Sequence, residues 1–521
     1  MKLVFILLII YCFQFSFFPQ DGNLDRSFGI GGIVHTSIGE GDAVAHSVAI
    51  QSDEKIILCG ESIINSQLVF TLVRYNTNGT LDTTFGQGGI VTTFIAEGSG
   101  GRSVLVQPDN KIVVGGGSAL ARYNENGSLD ETFGTGGIVH FLSIAVDGIG
   151  IQPDNKILVA GGNTDGNLAL IRCNTNGSFD ETFGAGGIVL TEITAHVPVW
   201  SFGKSVAIQA DGKIVLDGYY THELISDEDI TGTVLARYNI DGTLDESFGV
   251  DGIVKIHVGY DFTCAYSIVL QSDNKIILGG WKEAGQYWNA FTVLRCNTNG
   301  LLDGSFGNGG VVITEVGNNT SKGYSVILQS DGKIILVGEA ADSNWNDDIA
   351  LVRYNTNGAI DETFGEDGIV VTIGSLGDDG AYAIALQSDG KIIAAGYSEN
   401  RNTLVKEFVV ARYYVNVVSV QPDTFIPYQF QLFDNYPNPF NPSTTIKYLI
   451  PELSFITLKV YDVLGNEIAT LVYEEKPIGS YEAEFDATQL PSGIYLYRLQ
   501  VYSANGGAGS FVETKKMVLL R

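Results

Sequence analysis

The chain has 521 residues, with 59 acidic and 30 basic side chains and a formal net charge of −29. That field repels nucleic acid and anionic lipid and sets those partners aside. Five cysteines in a chain long enough to bury its own core argue against a disulfide framework; Cys59, Cys173, Cys264 and Cys296 fall at strand positions and read as small core residues.

Residues 1–20 open with Lys2 and an unbroken apolar run from Leu3, and they stop where the first repeat begins at Asp21. They read as a secretory signal peptide, with a buried strand or an uncleaved anchor as the alternative. Cys12 follows Ile-Ile-Tyr, without the small residues that lipoprotein processing needs. No other stretch is apolar enough over a sufficient length to span a membrane, so no transmembrane segment is expected in the mature chain.

From Asp21 to Tyr414 one block recurs seven times: D-x-x-F-G-x-x-G-[IV]-V, then S-V-x-[IL]-Q, then D-x-K-I, then an apolar strand ending in Arg. Its anchors are Asp25/Phe28, Asp82/Phe85, Asp130/Phe133, Asp180/Phe183, Asp245/Phe248, Asp303/Phe306 and Asp361/Phe364. A regular period of about 56 residues is the signature of a solenoid or propeller. Within the copy from Asp82 to Tyr123 four short strands are predicted, at Gly89-Ile-Val-Thr, Ser103-Val-Leu-Val-Gln, Lys111-Ile-Val-Val-Gly and Ala119-Leu-Ala-Arg-Tyr, an all-β pattern. Consecutive apolar residues, as in Lys333-Ile-Ile-Leu-Val, suit sheets covered on both faces.

Turn residues in Ser330-Asp331-Gly332-Lys333 and its relatives mark hairpin tips. The Asn-Gly connectors, such as Asn124 to Asp130, are read as joining one blade to the next, with the Asp capping free donors and the following Phe plugging the gap between blades. The last copy ends at Arg412-Tyr413 without a connector, while the chain opens with a connector, residues 21–29, that lacks a preceding strand. The N-terminal segment is therefore predicted to dock on the seventh blade and close the ring, leaving no long open edge. Strings such as RYNTNGTLDTTFGQGGIV and LQSDGKIILVG resemble the delta-60 β-propeller repeats of secreted bacterial proteins. The resemblance implies a propeller-like fold and no particular activity.

Repeat character stops near Tyr414. Pro422, Pro427, Pro437, Pro439 and Pro442 mark a stiff junction, and residues 415–434 read as a linker. Over residues 435–521, period-two alternation in Thr444-Thr-Ile-Lys-Tyr, Ile456-Thr-Leu-Lys-Val-Tyr, Ile468-Ala-Thr-Leu-Val, Tyr481-Glu-Ala-Glu-Phe, Gly493-Ile-Tyr-Leu-Tyr-Arg-Leu and the final strand from Phe511 predicts a small immunoglobulin-like β-sandwich. YPNPFNPSTTIKY, KVYDVLGNEIATLV, LPSGIYLYRL and ETKKMVLLR resemble the C-terminal sorting domain of type IX secretion substrates, similar also to the module of flagellar hook-capping proteins. Val501 to Gly507 departs from that pattern and reads as a lengthened hairpin. The resemblance implies handling by the type IX machinery and delivery to the cell surface or medium, with an adhesive sandwich kept on the mature protein as the alternative.

The expected fold is thus all-β: a seven-bladed β-propeller over residues 21–414 followed by the sandwich. Strand order puts the Asp-x-Lys hairpins and the connectors on one side. The other side carries irregular loops at Thr194 to Phe202, Tyr219 to Gly232, Trp281 to Asn289 and Ala340 to Asp348, and variable loops on a rigid scaffold are where binding concentrates. Trp200, Tyr219, Tyr220, Trp281, Tyr287, Trp288 and Trp345, accompanied by His222, Glu223, Asp227, Glu228, Asp229 and Asp347, form the candidate face. It suits stacking on a glycan or gripping a protein partner; local packing of each Trp is the plain alternative.

No catalytic motif is present: the six histidines share no register, and there is no G-x-S-x-G elbow or H-E-x-x-H helix. Carboxylate pairs such as Asp227 and Asp229 leave a polysaccharide hydrolase or lyase as the second reading, and a purely structural surface component as the third. No cofactor is expected. The connectors offer oxygens around a Gly turn, but without the bidentate Glu of a calcium loop they read as hydrogen-bonded turns.

Overall fold

The computed structural model describes residues 20–520 except 97, 194–198, 223–229, 259–262, 286–287, 318, 376, 416–429, 434, 451–453, 477–478 and 504–510. The signal-peptide segment and the tip of the lengthened hairpin therefore lie outside the described residues. Every regular element among those described is a β-strand. The chain divides into two compact units, residues 1–417 and 418–521.

The first unit contains seven four-stranded antiparallel sheets. In the first blade the strands, taken outward, are Ala43–Ile50, Ile56–Ile64, Gln67–Tyr75 and Ile90–Thr93. The innermost strands of the other blades are Ser103–Val106, Ile144–Ile151, Val199–Ile208, Thr263–Leu270, Ser321–Leu328 and Asp379–Leu386. Each packs against its neighbours, the last against the first, so the blades form a closed ring.

The seventh blade takes its outer strand from the other end of the chain. Ile33–Thr36 pairs with Phe408–Ala411, Asp25 N donates to Arg412 O at 2.7 Å, and Gly22 N donates to Tyr414 O at 2.8 Å.

Two expectations are corrected. The four strands within Asp82–Tyr123 do not form one sheet, because Ile90–Thr93 pairs with Gln67–Tyr75 and belongs to the preceding blade. The Asn-Gly connectors consequently join the third and fourth strands of one blade instead of linking successive blades. A repeat read from sequence has no unique starting point, and only pairing fixes its phase. The connectors still bridge the blades: Gly86 N donates to Asn126 O, Gly134 N to Asn176 O, and Gly365 N to Asp21 O across the closure.

The repeated polar residues lock each connector in place. Arg74 Nε donates to Asp82 Oδ2 at 2.8 Å, Lys55 Nζ stands 3.3 Å from the same oxygen, and the Arg74 guanidinium lies 4.5 Å from the Phe85 ring centre. Arg74 Nη1 reaches Glu125 O of the next connector at 2.6 Å. Burial would raise the Asp82 carboxyl, but hydrogen bonds from Thr84 and the Arg74 charge hold it down at about 2. The D-x-x-F, D-x-K and terminal-Arg signals are therefore parts of one cluster, present in every blade. The seven Phe anchors are fully buried in apolar cores between adjacent blades, where burial supplies the main stabilisation.

The second unit pairs a three-stranded sheet, Gln431–Leu432, Ser443–Ile450 and Gly479–Asp486, with a four-stranded one, Glu467–Lys476, Ser454–Tyr461, Gly493–Ser503 and Val512–Leu519. Gln431–Leu432 pairs with Tyr448–Leu449, so the first strand lies within the segment read as linker. Phe440 seats in the core, and its N–H donates to Val518 O at 2.9 Å. That contact accounts for the Phe in YPNPFNP.

Candidate functional site on the propeller axis

In six blades the inner strand carries a β-bulge, for example between Ala45 and Ser47 and between Gly323 and Ser325. A bulge re-aims the extra side chain. The extra residues are His46, Asp147, Lys204, Tyr266, Tyr324 and Tyr382, and Arg102 holds the same place in the second blade; together they line one axial pocket of about 340 Å³. The flanking serines tie the ring together, as Ser47 Oγ accepts from Val104 N at 3.1 Å and Ser267 Oγ from Val326 N at 3.2 Å.

Behind this ring the second strand of each blade crosses the bulge so closely that only glycine fits. A Cβ on Gly60 would lie 1.9 Å from Val44 O, and one on Gly338 1.9 Å from Lys322 O. The residue after that glycine is Glu61, Gly117, Gly162, Tyr219, Trp281, Glu339 or Tyr397, in blade order.

The pocket is two-sided. On one side Arg102 Nη2 pairs with Glu61 at 3.1 Å, Arg102 Nη1 donates to His46 Nε2 at 2.7 Å, and Lys204 Nζ pairs with Asp147 at 3.2 Å. Burial lowers the His46 imidazole, which is therefore neutral at pH 7. On the other side Tyr266 and Tyr324 meet edge to face at 5.7 Å, Tyr324 and Tyr382 at 4.7 Å, and His46 stacks on Tyr382 at 5.6 Å. Tyr324 Oη donates to Glu339 Oε1 at 2.7 Å; burial, with the Glu339 charge, raises the Tyr324 phenol and keeps it protonated. Next to the pocket, Asp217 occupies a fully buried position where other blades place Cys59, Gly115, Ala160, Gly279, Val337 and Ala395, and burial raises its carboxyl well above the usual range.

The candidate face is divided among four places. Tyr219 and Trp281 flank the axial ring, with Lys204 Nζ 5.5 Å from the Tyr219 ring and Lys322 Nζ 5.7 Å from that of Trp281. Tyr220 is buried and packs edge-on against His257 at 5.3 Å. Trp288 and Trp345 stack at 6.1 Å and are both exposed, while exposed Trp200 borders a separate groove. Tyr287, Glu223, Asp227, Glu228 and Asp229 lie outside the described residues, as does the side chain of His222.

Among the described residues the supposed loops are largely strand: Val199–Ile208, Ile214–His222, Ile230–Tyr238, Ile276–Gly285 and Trp288–Cys296 carry the ladder outward, and of the described candidate aromatics only Trp345 sits in a turn, with φ of 66°. Asp347 heads a strand, and its carboxyl is raised to about 7 by burial and by the charges of Glu339 and Asp378.

The axial residues were missed because a search for repeats discards positions that do not repeat. The signal was available: the residue before Ser in S-V-x-[IL]-Q reads out the ring.

The connector oxygens are committed to their turns. Asn78 Oδ1 accepts from Thr80 N at 3.1 Å and Oγ1 at 2.8 Å, and Asp82 is taken by Arg74. Among the described residues no group of three or more His, Cys, Asp or Glu could hold a metal, and no helix is long and apolar enough to cross a membrane.

Residues 51–85, 107–133, 152–183, 209–248, 271–306, 329–364 and 387–413 match the family described as domain of unknown function (DUF5122) beta-propeller. Residues 434–513 match the secretion system C-terminal sorting domain, which directs export by the type IX system to the cell surface or extracellular space. No curated protein matches the chain. Among solved structures, Sqt1 of Chaetomium thermophilum is 12% identical with a TM-score of 0.37, over 73% of this chain and 97% of that one. A protein of unknown function from Bacteroides caccae is 13% identical with a TM-score of 0.30, over 64% and 99%. Regucalcin from Agrobacterium tumefaciens is 13% identical with a TM-score of 0.33, over 60% and 90%. Similarities this low carry no argument about the present chain.

Proposed function

We propose that this chain, a DUF5122 β-propeller protein exported by its sorting domain, works outside the cell as a non-enzymatic binding module whose ligand enters the axial pocket. One observation carries the reading. Asp, Phe and Arg recur in all seven blades at the structural positions, yet the bulge position reads His, Arg, Asp, Lys, Tyr, Tyr, Tyr. Variation is thus concentrated where side chains converge on a pocket with both polar and aromatic walls, the usual form of a small-molecule site. A general acid needs a carboxyl that is both raised towards neutrality and reachable by the ligand. Glu61 is held low because His46 and Arg102 outweigh its burial, and Asp217, which is raised, is fully buried, so the pocket favours binding over hydrolysis.

The test is a thermal-shift screen of a small-molecule collection on the full chain, beside Lys204→Met and Tyr324→Phe variants. Stabilisation by a compound should shrink in both variants and persist in Trp288→Ala. Compounds whose effect survives both axial changes, or no stabilising compound at all, would refute the reading. A second reading places a protein or glycan partner on the stacked, exposed Trp288 and Trp345; loss of binding in Trp288→Ala alone would favour it.

A further inference from the structure

The axial pocket does not end at its ring. In the second and third blades the position behind the bulge is Gly117 and Gly162, where five other blades carry Glu, Tyr or Trp. The hairpin of the second blade is only Gly117-Ser118 long between its strands. The wall is therefore lowest on this side, and a groove of about 520 Å³ runs over it, lined by Ser99, Ser143, Asn163, Thr164, Phe202 and, at its far end, Trp200. Pocket and groove adjoin at Lys204, whose ammonium lies 5.7 Å from the Phe202 ring.

Building on the axial-pocket reading, we infer that the ligand is a neutral linear glycan bound end-on, its terminal pyranose on the axis and the following sugars leaving over the second and third blades to Trp200. The chemistry matches point by point. A pyranose offers apolar C–H faces to aromatic rings and vicinal hydroxyls that both donate and accept. Tyr266, Tyr324 and Tyr382 present the rings. The Arg102–Glu61 and Lys204–Asp147 pairs present donors beside acceptors. Both cations are already matched by carboxylates, and Glu339, beneath Tyr324, is in turn paired with Lys322 at 4.0 Å, so the pocket has no excess positive charge for an anionic sugar. The groove walls mix hydroxyl and amide side chains with the apolar Ile144, Ala145 and Phe202, as a sugar's polar edges and apolar faces require, and Trp200 is 55% exposed, an available stacking platform.

The experiment is a printed array of neutral and uronate-containing oligosaccharides of one to five residues, probed with the full chain, Trp200→Ala and Gly162→Leu. Gly162 has no positive φ, and the atoms nearest a Cβ there are the Phe202 ring at 2.9 Å and Ser201 O at 3.0 Å, so Leu crowds the groove floor and displaces the Phe202 ring. Expected is binding to a neutral series that strengthens with length, weakened about tenfold for the longer members by Trp200→Ala, and reduced to the monosaccharide level by Gly162→Leu. Tyr324→Phe should weaken every member. Binding confined to uronates, binding independent of length, or no glycan signal overturns the inference. If the array is silent while the thermal-shift screen finds other compounds lost in the axial variants, the glycan inference fails and the axial site stands; if both are silent, both fail.

Discussion

Asp25→Ala tests how the ring is held shut. Asp25 is fully buried and pairs with Arg412 across 387 residues of sequence, its Oδ2 lying 2.9 Å from Arg412 Nε and 2.9 Å from Nη2. Its Oδ1 also accepts from Ser27 N at 3.0 Å and Ser27 Oγ at 2.6 Å. Removing the carboxylate strands a guanidinium that is 6% exposed, and breaking a buried pair from one side costs about 3–5 kcal/mol. The lost Ser27 bonds add about 1 kcal/mol. The double variant Asp25→Ala/Arg412→Met leaves no stranded charge and keeps most of the packing over Phe28, so it should recover more than half of the loss. Urea unfolding followed by circular dichroism measures both. A loss below about 1 kcal/mol, as for an exposed ion pair, or a double variant no better than the single, would refute the assignment of closure energy to this buried pair.

Stability should fall in acid. The carboxyls of Asp25, Asp82 and Asp361 are depressed to about 2 from about 3.9 in the unfolded chain, so each contributes about 2 kcal/mol above that higher value, lost as pH drops through about 2. Asp347 acts in the opposite sense: raised to about 7, it binds its proton more tightly when folded, so stability declines between about pH 4 and 7, and Asp347→Asn should flatten that slope in pH-dependent denaturation. Tyr354→Phe, which removes the 2.9 Å bond to Thr314 Oγ1, should cost about 1 kcal/mol, and Thr314→Val added to it should restore part of that. Gly338→Ala would drive a methyl into the Lys322 carbonyl and should cost about 3 kcal/mol by thermal melting. Deleting residues 435–521 should leave the propeller in the periplasm by cell fractionation; undiminished surface display would contradict the sorting role.

What could be read from sequence follows from what repeats. Asp82, Phe85, Arg74 and Lys55 were legible because every blade needs the same cluster. Even an exception could be read within the one chain: Tyr75, Tyr123, Tyr238, Tyr354 and Tyr413 bond to Thr36, Thr93, Thr191, Thr314 and Thr372 of the preceding blade. Cys173 and Cys296 replace Tyr where that neighbour is Phe141 or Ile256, in shared apolar cores. The blade phase was not legible, because the Ile-Val strand pairs through a long connector that periodicity leaves undefined. The axial ring was hidden for a related reason: its members share a geometry without sharing a chemistry. Trp200 and Trp288 drew attention by residue type, while His46, Arg102 and Asp147 stand out only once the bulge positions are superimposed.

The most direct test of axial binding is ¹⁹F NMR of the full chain labelled with 5-fluorotryptophan, titrated with the strongest compound from the thermal-shift screen. Binding on the axis predicts that the Trp281 resonance moves while those of Trp288 and Trp345 stay in place. Movement of Trp288 and Trp345 with Trp281 unchanged would put the site on the rim and contradict the account.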